Sequence, residues 1–154
     1  MAALDEAAAV ARLDPERPVF HFTPPAQSMN DVNGPLLWKG RHHIFYQLNP
    51  YFPFKRTEGH WCQRMHWGHA RSRDLVHWEH LPVALCPNPE ETHCASGGAI
   101  VNDEGKPMVF YTSMYEKKPF EQWAAAPEDD ELMAWKKLPT NPVVGYRTKG
   151  EEEF

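Results

Sequence analysis

The sequence predicts an all-β fold, on three observations. Fifteen prolines and nine glycines cut the 154 residues into short pieces. Beyond residue 18, no run carries the apolar spacing of a 3.6-residue helix. Short aromatic and β-branched runs recur instead, each closed by turn residues, as in a sandwich, a barrel or a propeller.

The elements follow in chain order. Met1 to Leu13 is rich in alanine and acidic, so residues 1–18 are expected to form a leader, helical or disordered. It lacks the basic and then apolar regions of a secretory signal. Strands are then expected at residues 19–23, 35–38, 42–47, 66–71, 98–101, 108–113, 122–126 and 132–136. Asn102-Asp103-Glu104-Gly105 is a hairpin turn between two of them. Phe45-Tyr46 and Phe110-Tyr111 each close a strand after an aliphatic residue, which hints at a repeated four-stranded sheet. Residues 146–154 form a charged tail.

Composition narrows the function. A formal charge of −5 argues against a nucleic-acid footprint, which needs a clustered basic surface. No stretch approaches the roughly 20 apolar residues that span a bilayer. Cys62, Cys86 and Cys94 are an odd number without a pairing pattern, so reduced thiols in a cytoplasmic protein are expected. Their spacing is not that of a zinc knuckle. His66/His69 and His77/His80 share an i, i+3 spacing, but on strands such residues face opposite sides, so core or turn packing is the simpler role. Trp67, Trp78 and Trp135 read as core aromatics.

The most informative stretch is Ser28-Met29-Asn30-Asp31-Val32-Asn33-Gly34-Pro35. It places one carboxylate between two asparagines, ahead of a Gly-Pro pair. Asn-Asp-x-Asn-Gly is also ordinary turn chemistry, because these side chains bond to their own backbone. The clusters that follow it favour chemistry. His43-Ile44-Phe45-Tyr46-Gln47 ends in an amide that could reach a substrate hydroxyl. Trp61 sits in a loop between Gly59 and Cys62. His66-Trp67-Gly68-His69-Ala70-Arg71-Ser72, Asp74-Leu75-Val76-His77-Trp78 and His93-Cys94-Ala95-Ser96-Gly97-Gly98-Ala99 complete the set.

In this order and spacing, the clusters resemble the amino-terminal half of glycoside hydrolase family 32, the invertase, levanase and inulinase group of β-fructosidases. Asn30-Asp31-x-Asn33-Gly34 is similar to the nucleophile motif of that family. Tyr46-Gln47, Trp67-Gly68-His69-Ala70, Leu81-Pro82-x-Ala84-Leu85-x-Pro87 and Ser96-Gly97 continue the likeness over residues 20–145. The resemblance implies part of a five-bladed β-propeller, about two to two and a half blades, within residues 19–145. It implies Asp31 as the nucleophile of a retaining hydrolysis that releases terminal β-D-fructofuranosyl units from sucrose, levan or inulin. Asn30 is then a donor that keeps Asp31 ionised, and Gln47, Trp61 and Ser96 are sugar contacts. No metal or organic cofactor is implied by hydrolysis with two carboxyl groups.

Departures from the family pattern fall around the carboxylate. Ser28 stands where the family usually has Trp, Val32 where it has Pro, and Ala95 where it commonly has Phe. The acid/base Glu-Cys motif and the Arg-Asp-Pro motif do not occur in the 154 residues. Arg73-Asp74-Leu75 precedes Val-His-Trp and reads as a turn. The expectation is a truncated family member with little activity alone, since general acid catalysis contributes typically 10²–10⁴-fold. The rival readings are a non-catalytic carbohydrate-binding fragment, a half-propeller that self-associates through an open blade edge, and a related five-bladed arabinosidase or xylosidase.

Overall fold

The computed structural model describes residues 2–51 and 64–145. One helix, α1 (Ala2–Ala11), precedes eight strands: β1 (Ser28–Trp38), β2 (Arg41–Asn49), β3 (His66–Ser72), β4 (Trp78–Leu85), β5 (His93–Val101), β6 (Pro107–Met114), β7 (Glu121–Pro127) and β8 (Trp135–Lys137). They form two four-stranded antiparallel sheets, ordered β1-β2-β3-β4 and β5-β6-β7-β8. Each sheet is a meander whose strands pair in sequence order, which is the build of a propeller blade.

Side-chain alternation explains why the sheets stack. Strand neighbours point to opposite faces, so Phe45 and Trp67 lie on one face of the first sheet. They pack with Cys94, Val109, Tyr111 and Ala125 of the second sheet. Trp135 meets the Phe45 ring edge-on, with centroids 5.3 Å apart. The other face of the first sheet carries Tyr46, Leu48 and Ala70, and packs with Leu4 and Ala8 of α1. On β6, Pro107, Val109, Tyr111 and Ser113 are buried while the residues between them are not, so one face of that strand is covered.

Three expectations change. Residues 19–23 are not a strand. Pro18, Pro24 and Pro25 flank them and lack the N–H that a ladder needs, and Phe22 instead packs against Tyr46 and Trp78. The first strand begins at Ser28 rather than at Pro35, so the Asn-Asp-x-Asn-Gly run lies inside a strand and not on a tight turn. β4 had no counterpart among the expected strands; Pro82 argues against a central strand but is tolerated on β4, which lies at the edge of its sheet. Two smaller shifts concern ends: β5 starts at His93, and β8 is Trp135–Lys137, which overlaps only the last two residues of the expected 132–136 run.

The hairpin at 102–105 has the expected form. Gly105 is at φ 74 and donates its N–H to the Asn102 carbonyl. The turn ahead of β4 is organised by Asp74. Its carboxylate accepts from the His77 ring nitrogen and from the N–H groups of Val76 and His77. The His77 side chain first, then those N–H groups, hold the Asp74 carboxyl well below the usual carboxylate range. Asp74 is a turn residue.

Candidate active site

The site is built where the first strands of the two sheets, β1 and β5, meet. β1 departs from regular pairing twice. From Met29 to Val32 it advances three residues while β2 advances two, Leu48 to Tyr46, and from Asn33 to Leu36 the same happens against Phe45 to His43. Each is a bulge, an extra residue that turns side chains out of the regular alternation. Asn30 and Asp31 lie in the first bulge. Gly34 lies in the second at φ +49, where glycine is at ease. β5 has a matching bulge between Cys94 and Gly97, opposite Ser113 and Tyr111, and it contains Ala95 and Ser96.

These bulges face each other across the sheets. Ser96 Oγ donates to Asp31 Oδ2 at 2.5 Å. The backbone N–H of Gly97 donates to Asn33 Oδ1 at 3.2 Å, while Asn33 Nδ2 reaches the Asp31 carbonyl at 3.4 Å. Asn33 is buried, so its side chain ties the two strands together beneath an exposed Asp31. Glycine is required at two close approaches, one between the sheets and one within the second sheet. A Cβ on Gly34 would lie 2.9 Å from the Ala99 Cβ, and one on Gly97 would lie 1.9 Å from the Phe110 carbonyl oxygen.

Three further bonds hold the β5 bulge against the first sheet. Gln47 Nε2 donates to the Cys94 carbonyl at 3.1 Å, Trp67 Nε1 to the Ala95 carbonyl at 3.1 Å, and the Cys94 N–H to the Met65 carbonyl at 2.9 Å. Successive groups of the bulge are thus pinned from β2, β3 and the residue before β3. The loop leading into β5 is anchored by Glu91, which is buried. Its carboxylate accepts from Tyr111 and Ser113 hydroxyls, from the Asn88 N–H and from Lys137. Burial opposes ionisation of Glu91, but the Asn88 N–H, the Lys137 ammonium and the Ser113 hydroxyl outweigh it and hold the carboxyl below its ordinary value.

Of the residues singled out from the sequence, Asp31 and Ser96 are brought into contact. Gln47 is buried, and its amide nitrogen serves the inter-sheet contact to Cys94. Asn30 is exposed beside Asp31, and the hydrogen bond to the carboxylate comes from Ser96 on the other sheet. Trp61 lies outside the described residues. Asn33 and Gly97 were passed over as site residues, although both sit inside the quoted motifs; the signals that mark them, the bond between them across the sheets and the approach of Gly97 to Phe110 on the neighbouring strand, exist only once the strands are paired.

The remaining polar groups near this interface are unreactive. Burial pushes the Cys94 thiol up to about 12, so it stays protonated and is no thiolate nucleophile. His43 Nδ1 and His69 Nε2 are 3.0 Å apart, and both side chains are buried. Burial, the Arg71 guanidinium and Arg41 lower His43 to about 4. Burial, His43 and Arg71 lower His69 to about 3. His69 also stacks on Phe45 at 4.3 Å, a packing role. His66, on the opposite side of β3, bonds the Arg64 carbonyl. Among the described residues no three His, Cys, Asp or Glu side chains converge as metal ligands.

The arrangement offers one solvent-facing carboxylate, oriented by a hydroxyl and held on a rigid junction of two sheets. Comparison with known proteins adds the frame. A family model described as "Glycosyl hydrolases family 32 N-terminal domain" matches residues 21–154. The chain is 40% identical over 136 residues to a fructan 6-exohydrolase of Beta vulgaris, covering 85% of this chain and 22% of that protein. In structure it resembles a β-fructofuranosidase of Bombyx mori, with a TM-score of 0.73 and 35% identity over 95% of this chain and 31% of that one. It also resembles a variant of fructan 1-exohydrolase IIa from Cichorium intybus in complex with 1-kestose, with a TM-score of 0.70 and 38% identity over 84% of this chain and 24% of that one. The chain spans between 22% and 31% of the length of these three.

Proposed function

The chain belongs to glycosyl hydrolase family 32, through its N-terminal propeller region, and from that premise we propose that it carries the nucleophile half of a β-fructofuranosidase site. Asp31 attacks the anomeric carbon of a terminal fructofuranosyl unit and forms a covalent intermediate, which water then opens. A retaining site needs a second carboxyl roughly 5–5.5 Å away to protonate the leaving oxygen. The family's acid/base motif is not among these 154 residues, so the proposal concerns the nucleophile's half of the site.

One observation carries this reading. Asp31 faces solvent at the junction of β1 and β5, with its Oδ2 accepting from Ser96. A hydrogen bond to the charged form favours the carboxylate, and the bulges on both strands hold it where a substrate can reach. Asn30 beside it, with Gln47 behind the β5 bulge and Trp61, are the sugar-side residues in this proposal. The propeller part is taken as residues 19–145, after a leader at 1–18 and before a tail at 146–154. Fructose-containing sugars are the proposed ligands, in keeping with the 1-kestose bound by the Cichorium intybus relative.

The test is hydrolysis of sucrose by a chain extended to include an acid/base carboxyl, with and without Asp31→Asn. Turnover should fall by more than about 10²-fold, the least expected on losing a group that takes part in the chemistry. Unchanged turnover removes Asp31 from the nucleophile role. A second reading, a carbohydrate-binding fragment, predicts sugar binding that survives Asp31→Asn in any context. Free thiols at Cys86 and Cys94 support a reducing, cytoplasmic setting. The outer side of the second sheet, where Ile100 and Val144 are about half exposed, supports self-association.

A further inference from the structure

Strand pairing alone does not fix Ser96 in the β5 bulge. Between Cys94 and Gly97 the strand advances three residues while β6 advances two, from Ser113 to Tyr111. A bulge leaves its extra residue outside the ladder and disrupts the ladder around it. Ala95 and Ser96 therefore take their orientation from bonds that come from elsewhere. Ser96 is the residue whose aim matters, because its hydroxyl donates to Asp31.

Trp67 supplies such a bond. Its Nε1 donates to the Ala95 carbonyl at 3.1 Å. That carbonyl belongs to the peptide unit joining Ala95 to Ser96, and a peptide unit is planar from one Cα to the next. Holding the Ala95 oxygen therefore fixes the plane that contains the Ser96 Cα, the base from which the hydroxyl projects. Trp67 and Gln47 are direct partners on β3 and β2. Their side chains share a face and reach successive carbonyls, those of Ala95 and Cys94.

The anchor is itself fixed by packing. Trp67 is 0% exposed, and its ring lies 5.7 Å from that of Phe45 on one sheet and 6.3 Å from that of Tyr111 on the other. Interiors packed in this way leave few alternative rotamers. An indole N–H is a donor only and needs an acceptor when buried, so the bond holds both partners. Trp135 packs against the same core and has the same chemistry, but its Nε1 donates at 3.1 Å to the Leu132 carbonyl, which is not part of the bulge.

We propose that Trp67 is a positioning residue for the Asp31 site: through the Ala95–Ser96 peptide, its indole N–H aims the Ser96 hydroxyl at the Asp31 carboxylate. Its importance for catalysis rests on the reading of Asp31 as nucleophile, whereas the aiming itself does not.

Trp67→Phe keeps a ring in the core and removes the N–H. The first readout is the carboxyl carbon NMR signal of Asp31 in the 154-residue chain. Ser96→Ala, which deletes the donor, sets the scale and direction of the change. Trp67→Phe should move the signal in the same direction. It should add nothing in a Ser96→Ala background, as expected of two residues that act in series. Trp135→Phe, which removes the same atoms from the same core, should leave the signal in place. A signal unmoved by Trp67→Phe, moved equally by Trp135→Phe, or moved further by Trp67→Phe once Ser96 is alanine overturns the proposal. Where Trp67→Phe does not fold, benzothienylalanine at position 67 keeps both rings, puts sulfur in place of the N–H and carries the same expectations. The second readout is sucrose turnover by the extended chain. Trp67→Phe should lower it about tenfold, the worth of one hydrogen bond, and Trp135→Phe should not. Turnover unaltered by Trp67→Phe, in a chain that Asp31→Asn inactivates, overturns the positioning role alone. Turnover unaltered by Asp31→Asn removes the nucleophile reading and leaves the NMR result to decide the aiming of Ser96.

Discussion

Replacing Lys137 by methionine removes the ammonium that faces Glu91 inside the second sheet. The pair is well buried: Glu91 is 2% exposed, and Lys137 Nζ bonds its Oε2. Taking one partner from a buried ion pair costs about 3–5 kcal/mol, because the other charge is left without compensation. Glu91 retains the Tyr111 and Ser113 hydroxyls at 2.8 and 2.6 Å and the Asn88 N–H at 2.6 Å, which places the loss near the lower end, about 3 kcal/mol. Methionine keeps an apolar stem near the Tyr111 and Trp123 rings, where Lys137 Nζ now sits 5.4 and 5.7 Å from the centroids. For a chain of this length, about 3 kcal/mol corresponds to roughly 6–12 °C in Tm.

The pH dependence of that loss is diagnostic. In the parent chain the Glu91 carboxyl lies below its ordinary value. Its contribution is then present above the unfolded value, about 4.3, and is lost as pH falls through the folded value. Without Lys137, burial dominates and the carboxyl rises instead. The deficit of the variant should therefore be greatest near neutral pH and shrink as acid protonates Glu91. Urea unfolding at pH 7.5 and pH 5 measures both. A deficit under about 1 kcal/mol, the scale of an exposed pair, or one that grows toward pH 5, refutes the reasoning. Adding Glu91→Gln to Lys137→Met should recover part of the loss.

Three further outcomes are expected. Both buried histidines have folded values depressed below 6.5, to about 4 and about 3, so the unfolded chain takes up protons first and stability is full above pH 6.5. For His69 alone the loss by pH 4.5 is about 3 kcal/mol, and His69→Phe should flatten the fall in urea midpoint between pH 7 and 4.5; an unaltered profile removes the pair as its cause. Gly97→Ala should cost about 1–3 kcal/mol or more, because its Cβ would lie 1.9 Å from the Phe110 carbonyl, whereas Gly98→Ala meets nothing within 4 Å and should fall within about 0.5 kcal/mol. Thermal melts of the two compare them, and equal Tm values would contradict the close strand contact. Asp31→Asn should leave Tm within about 2 °C, since an exposed side chain contributes little to stability; a larger drop would make Asp31 a structural residue.

The chain announces much of this in its local chemistry. Alternating aromatic and aliphatic runs such as 42–47 and 108–113 commit residues to half-buried strands, because only a period of two puts Phe45 and Val109 on faces that can be covered. Asn102 to Gly105 specify a hairpin through backbone angles that few residues adopt. The order of Asn30-Asp31, Gln47, Trp67 and Ser96 carries the family likeness.

Other features are decided only when the sheets meet. A bulge needs one residue more than the opposite strand supplies, so it belongs to a pairing and not to a segment; the Asn-Asp-x-Asn-Gly run reads as a turn until β2 lies beside it. Pro82 looks like an interruption until β4 proves to be an edge. Asn33, Gln47 and Gly97 gain their roles from partners 47–64 residues away along the chain. Hydrogen bonds and excluded volume act over a few ångströms of space, whatever the distance in sequence. The stacking of the two sheets therefore decides that Ser96 meets Asp31, and the pairing of β5 with β6 decides that Gly97 can have no side chain.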